Sequence, residues 1–353
     1  MRPPAEGPVV LAILYPPAWF GGPDAVAEHA RSIEALDPRV EVLIEPYEEG
    51  QHLRTLRGSP EGTDAAREIA PALTDAQRAA FARAHGVIAI DLPFDVATHA
   101  PNLKWVQGVG AGTAQLQTAG LDEAGVMLTS AAGTNAVGIA EFVIGRLLEE
   151  RKRYPQLRES QARHAWEPQY GVELAGTTVG LIGLGAINAA VAKRLQAFEA
   201  TVLACRRSAR PGATAPDVDA LYPTADLHEM LGRSDTVVAA VPETPDTIGL
   251  MDADAFAAMP PGSFFVNVGR GTLVDEPALI DALARGHLRG AALDVASQEP
   301  LPPEHPLWDA PNLSLSYHCS TSPGAMAGNL HRLWAENVRR WLAGEEMLNV
   351  VSG

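Results

Sequence analysis

Residues 179–188 read VGLIGLGAIN, a short apolar run ending in a glycine turn that leads directly into a helix-forming segment. A nucleotide-binding strand–turn–helix unit has this order. Residues 179–182 form a buried strand, Gly183 permits the tight turn, and Gly185 lets the backbone approach a pyrophosphate. Ala186 and Ile187 lead into a helix over 189–198, whose N-terminus points unpaired N–H groups at the phosphates. The third position of the fingerprint is Asn188 where glycine is usual. Its side chain must fit between helix and strand, so a slightly displaced helix is expected.

On both sides of this turn, strands alternate with helices. Upstream, VVLAIL (9–14), VEVLIE (40–45), GVIAI (86–90) and LKWVQ (103–107) are short apolar strands separated by Ala- and Arg-rich helical segments. Residues 45–67 are polar and punctuated by Gly and Pro, and are expected to be an irregular surface excursion. A long helix starts near Val137. Six strands follow it, at 177–183, 200–205, 236–241, 263–269, 290–295 and 313–317. The expected fold is α/β with two doubly wound domains: a Rossmann-type coenzyme domain (132–318) inserted in a smaller, flavodoxin-like substrate domain (1–131 and 319–353). The last segment carries Leu330, Leu333, Trp334, Val338, Trp341 and Leu342 on one helical stripe, which returns as core to the first domain.

About twenty residues after the glycine turn, the second strand of a dinucleotide domain meets the adenosine ribose. An acidic residue there would bond the ribose hydroxyls and repel a 2′-phosphate. This chain has Arg206, Arg207 and Ser208, with no carboxylate before Asp217. Two guanidiniums and a hydroxyl make a phosphate clamp, so NADP is the preferred cofactor and NAD the second.

Three further groups follow strands of the same series: Arg270 in VNVGRGTLVDE, Glu299 in ALDVASQEPLPP and His318 in LSLSYHCSTSPG. A guanidinium grips a 2-oxo acid through two oxygens, an imidazolium delivers a proton, and a carboxylate holds that imidazolium charged. Together they suit ketone reduction.

The composition limits the alternatives. A chain of 353 residues has room for two domains, and its net charge of −16 disfavours nonspecific binding to nucleic acid or an anionic membrane. It contains no run of eighteen apolar residues, and Pro16 and Pro17 break the apolar start, so neither a membrane span nor a signal peptide is expected. Cys205 and Cys319 are too few for a disulfide framework, which makes a reducing cytoplasm the expected location. The histidines and cysteines lack ligand spacing, so no metal site is expected. No Gly-x-Ser-x-Gly elbow is present for a serine hydrolase.

From about Ala100 onward, the motifs APNLKWVQGVGAG, AAGTNAVGIAEFVIG, VPETPDTIGLM, FFVNVGRGTLVDEPALIDAL and GAALDVASQEPLPPEHPLWDAPNL resemble the D-isomer-specific 2-hydroxyacid dehydrogenases. That family includes glyoxylate/hydroxypyruvate reductases, D-lactate and phosphoglycerate dehydrogenases, and formate dehydrogenase. The resemblance implies that Arg270 binds the substrate carboxylate and keto oxygen, that His318 is the proton donor, and that Glu299 orients its imidazole. It implies that the backbone amides of Val109, Gly110 and Ala111 complete the anion site and that Asp294 holds the nicotinamide carboxamide. Further cofactor contacts are implied at Val241, Pro242, Val268 and Gly269, as is a homodimer built on the long helix. The resemblance also implies a small 2-oxo acid as substrate and the D-2-hydroxy acid as product.

Three positions depart from the family pattern. Tyr317 replaces the proline usual before the histidine, Gly269 stands where alanine or serine is common, and Glu199 occupies a glycine-favoured turn position. Two alternatives remain open at this stage. One is a formate- or phosphonate-type dehydrogenase, against which Arg206 counts; the other is a dinucleotide-sensing regulatory protein of the same fold.

Overall fold

Apolar runs that alternate with helices require a parallel sheet covered on both faces, because each crossover helix lies against one face. The computed structural model, which describes residues 3–57, 62–210 and 212–351, has two such sheets, and every pairing between their strands is parallel. The chain divides into two units, Met1–Thr134 with Pro323–Gly353, and Asn135–Ser322.

The first unit holds β1 (Val9–Ile13), β2 (Val40–Ile44), β3 (Gly86–Ala89), β4 (Trp105–Gly108) and β5 (Met127–Thr129), in the order β2-β1-β3-β4-β5. That is the flavodoxin-like order. Strand β5, only three residues long, was not expected from the sequence. Helices Pro23–Glu34 and Pro323–Ala343 contribute to the core on one face, where Val26, Ile33, Leu330, Trp334, Val338 and Trp341 pack with Val9, Leu11, Ile13 and Trp105. The stripe on the final helix is therefore core, as expected. Trp105 and Trp341 meet with ring centroids 5.6 Å apart, and the Trp105 indole N–H donates to Thr129 Oγ1 at 2.9 Å.

Within the expected irregular excursion, residues 51–57 and 63–67 are helical. Helix Gln51–Arg57 buries Leu53 and Arg57, and a second helix begins at Thr63. Arg57 donates to buried Glu49 and to the Leu92 carbonyl, while Arg54 pairs with fully buried Asp91 at 2.7 Å. Part of the polarity that suggested a surface segment is consumed in these ion pairs, while Glu48, Gln51, His52 and Thr55 are exposed.

The crossings between units lie three and four residues later than the expected 131/132 and 318/319. Local bonds account for the offset. The Ser130 amide donates to the Asn349 carbonyl, and Asn349 Nδ2 to that of Ala132, which ties this turn to the first unit. The Cys319 and Ser320 amides both donate to Asp294 Oδ1, which ties that turn to the second.

The first unit also contains a titratable pair that no motif announced. His29 is buried and stacks on His331 with ring centroids 3.4 Å apart, meets Trp334 edge-on with centroids 5.1 Å apart, and Tyr15 Oη lies 3.1 Å from His331 Nε2. Burial, and next the charge of His331, push the His29 pKa from 6.5 to about 3; burial brings His331 to about 4. Both rings are neutral in the folded state, whereas the unfolded chain takes up their protons near 6.5. Their contribution to stability is complete above that pH and is lost as pH falls toward the folded values. Each imidazole adds a slope of up to about 1.4 kcal/mol per pH unit. Thermal unfolding followed from pH 7 to pH 4 is expected to show a falling midpoint, and His29→Phe should flatten that fall. An unchanged slope in the variant would remove His29 as its source.

The second unit holds β6 (Thr178–Ile182), β7 (Thr201–Cys205), β8 (Ala220–Tyr222), β9 (Thr236–Ala239), β10 (Ser263–Asn267), β11 (Leu288–Leu293) and β12 (Leu313–Leu315). Their order is β12-β11-β10-β9-β6-β7-β8, a Rossmann order with one further strand at the β12 edge. Six strands were expected; β8 is the addition. Glu199 sits at φ +56, the left-handed conformation anticipated there, at a strain of roughly 1–2 kcal/mol.

Candidate active site

In a doubly wound sheet, ligands bind beyond the carboxyl ends of the strands where the strand order reverses. That reversal lies between β6 and β9. Gly183 follows β6, Arg206 follows β7, Val241 and Pro242 follow β9, Val268, Gly269 and Arg270 follow β10, Asp294 follows β11, and Tyr317 and His318 follow β12. One edge of one sheet thus gathers all the site residues expected in the coenzyme domain, with Glu299 in the loop after β11.

The glycine turn is shaped for close backbone approach. Gly183 has φ +81, and a Cβ there would lie 2.5 Å from Val241 Cγ1. Gly185 is the N-cap of helix Ala186–Gln196 and makes no side-chain cap, so the first-turn amides at Ala186 and Ile187 have no intrahelical acceptor. A Cβ at Gly185 would meet no atom within 4 Å, which leaves this side of the turn open. Gly269 sits against Val241, where a Cβ would be 2.9 Å from the carbonyl oxygen; the alanine or serine common in the family would not fit without a shift. These features suit a dinucleotide.

Asn188 corrects the expected displaced helix. It is completely buried, and its Nδ2 donates to the carbonyls of Ile182 at 3.0 Å and Gly183 at 2.7 Å. The side chain ties the helix to the end of β6 instead of wedging it away. Asn188→Gly is therefore expected to destabilise the protein by about 1–3 kcal/mol through loss of these buried bonds, the Gly183 carbonyl losing its donor while that of Ile182 keeps the Ala240 amide, and to leave cofactor affinity no tighter. Urea unfolding and a fluorescence titration with NADPH measure the two effects; tighter binding at unchanged stability would restore the wedge.

At the end of β7, Arg206 is half-buried, and Arg207 and Ser208 are exposed. The Arg206 backbone N–H donates to the Tyr222 carbonyl, but its buried Nε has no partner among the described residues. An orphaned guanidinium N–H beside two exposed polar groups suits an anionic acceptor. Cys205 just before it is core, and burial raises its thiol pKa to about 11.

Arg270 is exposed, and its Nη1 donates to the Gly269 carbonyl at 2.8 Å. Asn267, fully buried at the end of β10, grips this loop from both sides. Its Oδ1 accepts from the Gly269 amide, and its Nδ2 donates to the Arg270 carbonyl, each at 2.9 Å. At Gly271 a Cβ would lie 1.9 Å from the Ala296 carbonyl carbon, so the loops bearing Arg270 and Glu299 meet backbone to backbone. Buried Glu276 fixes the second loop by accepting from Ser297 N at 2.7 Å and Ser297 Oγ at 2.8 Å. Sequence reading missed Asn267 and Glu276, although both lie inside the quoted motif FFVNVGRGTLVDEP.

Glu299 and His318 are brought together, with Oε2 2.7 Å from Nδ1. Glu299 Oε1 also accepts from the Ala296 amide at 3.0 Å. The pair leaves His318 Nε2 directed away from the carboxylate. Tyr317 and His318 are both left-handed, at φ +53 and +55. A proline, whose ring holds φ near −65°, cannot adopt the first of these, so the tyrosine replaces the family's proline together with its backbone conformation.

Asp294 holds this strained turn. Its buried Oδ1 accepts from Ser316 Oγ at 2.9 Å, Cys319 N at 2.9 Å and Ser320 N at 3.1 Å, and its backbone carbonyl accepts from His318 N at 2.6 Å. Reading the carboxylate only as a nicotinamide contact missed this second task.

The expected anion-binding amides lie in the first unit, after β4. The Val109 N–H is committed to the Ala89 carbonyl at 3.0 Å and is withdrawn from that role. Gly110 and Ala111 are exposed, and their amides have no partner among the described residues.

Known proteins match this arrangement. A family model described as the NAD binding domain of the D-isomer specific 2-hydroxyacid dehydrogenases matches residues 144–320. A glyoxylate reductase of Thermofilum pendens is 34% identical over 260 residues, covering 71% of this chain and 75% of its own. A D-3-phosphoglycerate dehydrogenase of Mycobacterium bovis is 34% identical over 73% of this chain, which spans only 48% of that relative's length. Among solved structures, a D-isomer specific 2-hydroxyacid dehydrogenase of Xanthobacter autotrophicus Py2, in complex with NADPH and MES, superposes with a TM-score of 0.75 at 28% identity, covering 98% of each chain. The fold and the glycine cradle define a dinucleotide-binding α/β protein. Within that class, the chain belongs to the D-isomer specific 2-hydroxyacid dehydrogenase family.

Proposed function

We propose that the protein reduces a small 2-oxo acid to the D-2-hydroxy acid, with NADPH as the preferred donor and NADH the weaker one. The contact that carries this reading is His318 Nδ1 to Glu299 Oε2, at 2.7 Å. A dinucleotide held by its pyrophosphate at Gly183, Gly185 and the amides of Ala186 and Ile187 would supply a hydride to the carbonyl carbon. His318 gives its proton from Nε2 to the alkoxide oxygen, while Glu299 holds the ring in one orientation and stabilises its charged form. Arg270 draws on the substrate carboxylate and keto oxygen, and in the first unit the Gly110 and Ala111 amides, without partners among the described residues, are donors suited to an anion. Val241, Pro242 and Val268, which follow β9 and β10, would contact the bound cofactor, as would Gly269. Asp294, already saturated on Oδ1, offers Oδ2 to the carboxamide. Likeness to a glyoxylate reductase and to an NADPH complex supports the substrate class and the cofactor.

We further propose a homodimer in the cytoplasm. The long helix Ala136–Arg151 and the segment after it present Val137, Tyr154, Leu157, Trp166 and Tyr170 to solvent; Trp166 is 98% exposed. Among the described residues no helix is long and apolar enough to cross a membrane. Sedimentation tests the dimer. The reaction is tested by loss of NADPH or NADH absorbance with glyoxylate, hydroxypyruvate, pyruvate and phenylpyruvate. Silence with both cofactors would overturn the reductase reading in favour of a dinucleotide sensor.

A further inference from the structure

Beside the proton donor stands an aromatic pair that neither the fold nor the reaction explains. Tyr317 immediately precedes His318 and is 72% exposed. Its φ of +53 is strained for a bulky residue, and glycine would hold the same backbone without strain. Strain kept at such a position marks a side chain with a task. Trp308, 41% exposed, lies 5.8 Å from the Tyr317 ring at 39°. Its indole N–H donates to the Pro302 carbonyl at 2.8 Å, which fixes the ring plane. Packing does not require the indole to be there, because its neighbour Leu307 already anchors the short helix Pro306–Asp309 in the core.

We propose that Tyr317 and Trp308 form a shelf for a planar aromatic side chain on the 2-oxo acid. The inference rests on the reductase reading above and narrows its substrate. In a 2-oxo acid the side chain begins one bond from the carbonyl carbon, so the group that protonates the oxygen and the surface that receives the side chain must be neighbours. Tyr317 and His318 are adjacent in the chain. A third ring extends the tilted pair by offset or edge contact, the geometry that aromatic quadrupoles favour.

The test compares kcat/KM for phenylpyruvate and glyoxylate, with NADPH, in the wild type, Tyr317→Gly, Tyr317→Phe and Trp308→Leu. The wild type is expected to favour phenylpyruvate. That ratio should fall about tenfold in Tyr317→Gly and hold in Tyr317→Phe. Glycine tolerates the left-handed backbone, so the first variant removes the ring while keeping the turn. Should it fail to fold, Trp308→Leu decides by the same fall in the ratio. Turnover of glyoxylate with a ratio indifferent to these rings overturns the shelf and leaves the reductase standing. A wild type that turns over none of the acids with either cofactor overturns the reductase, and the shelf with it.

Discussion

Replacing His318 with glutamine is expected to lower kcat by about 10²- to 10⁴-fold while leaving the dissociation constant for NADPH unchanged. Glutamine keeps a polar side chain of similar reach and can still donate to Glu299, so the loop retains a partner. Its amide N–H is too weak an acid to be transferred to an alkoxide. The loss therefore falls on the chemical step, whereas the glycine cradle and the basic turn beyond β7 are untouched. Steady-state turnover paired with a fluorescence titration of NADPH separates the two, and full turnover in the variant would remove His318 from the reaction.

Replacing Arg206 and Arg207 together with alanine is expected to erase the preference for NADPH over NADH. Each charge-assisted hydrogen bond to a phosphate contributes about 1.5–3 kcal/mol, so the pair accounts for roughly 10²-fold or more in kcat/KM with NADPH. NADH lacks the phosphate, and its kcat/KM should change far less. Arg206 alone should carry the larger share, since its buried Nε has no partner among the described residues, whereas Arg207 is exposed. A cofactor ratio preserved in the double variant would show that the basic turn does not touch the phosphate.

Much of this was legible in the sequence because period and punctuation report backbone geometry directly. The strand, glycine turn and helix around Gly183, the core stripe of the last helix and the left-handed Glu199 follow from local sterics. The strands β5 and β8, three residues each, escaped notice because no alternation extends past them, whereas β12, equally short, showed in the alternating LSLSY. Asn188 was misjudged for a different reason. A polar side chain at a packing position reads as an obstruction until the carbonyls that receive it are located, and those belong to residues placed by tertiary structure. The same holds for Asn267, Glu276 and the anchoring role of Asp294: each is one polar residue within a motif, and its partners are set by how neighbouring loops end. The pairing of Glu299 with His318 was expected from chemistry, but the left-handed turn that presents it was not, since nothing in Tyr-His signals a positive φ.

The helix Pro323–Ala343 has a consequence for how the protein is made. It supplies Leu330, Trp334, Val338 and Trp341 to a core whose other half is β1 and β4, near the opposite end of the chain. On the ribosome, the five-stranded sheet therefore emerges with this face covered only by helix Pro23–Glu34, and Trp105 lacks its partner Trp341 until the whole of the second unit has been translated. The inserted unit has every strand it needs and can fold first. The earlier-made unit must wait, which makes the interval between the two the period when nascent chains are most exposed to aggregation and most dependent on chaperones.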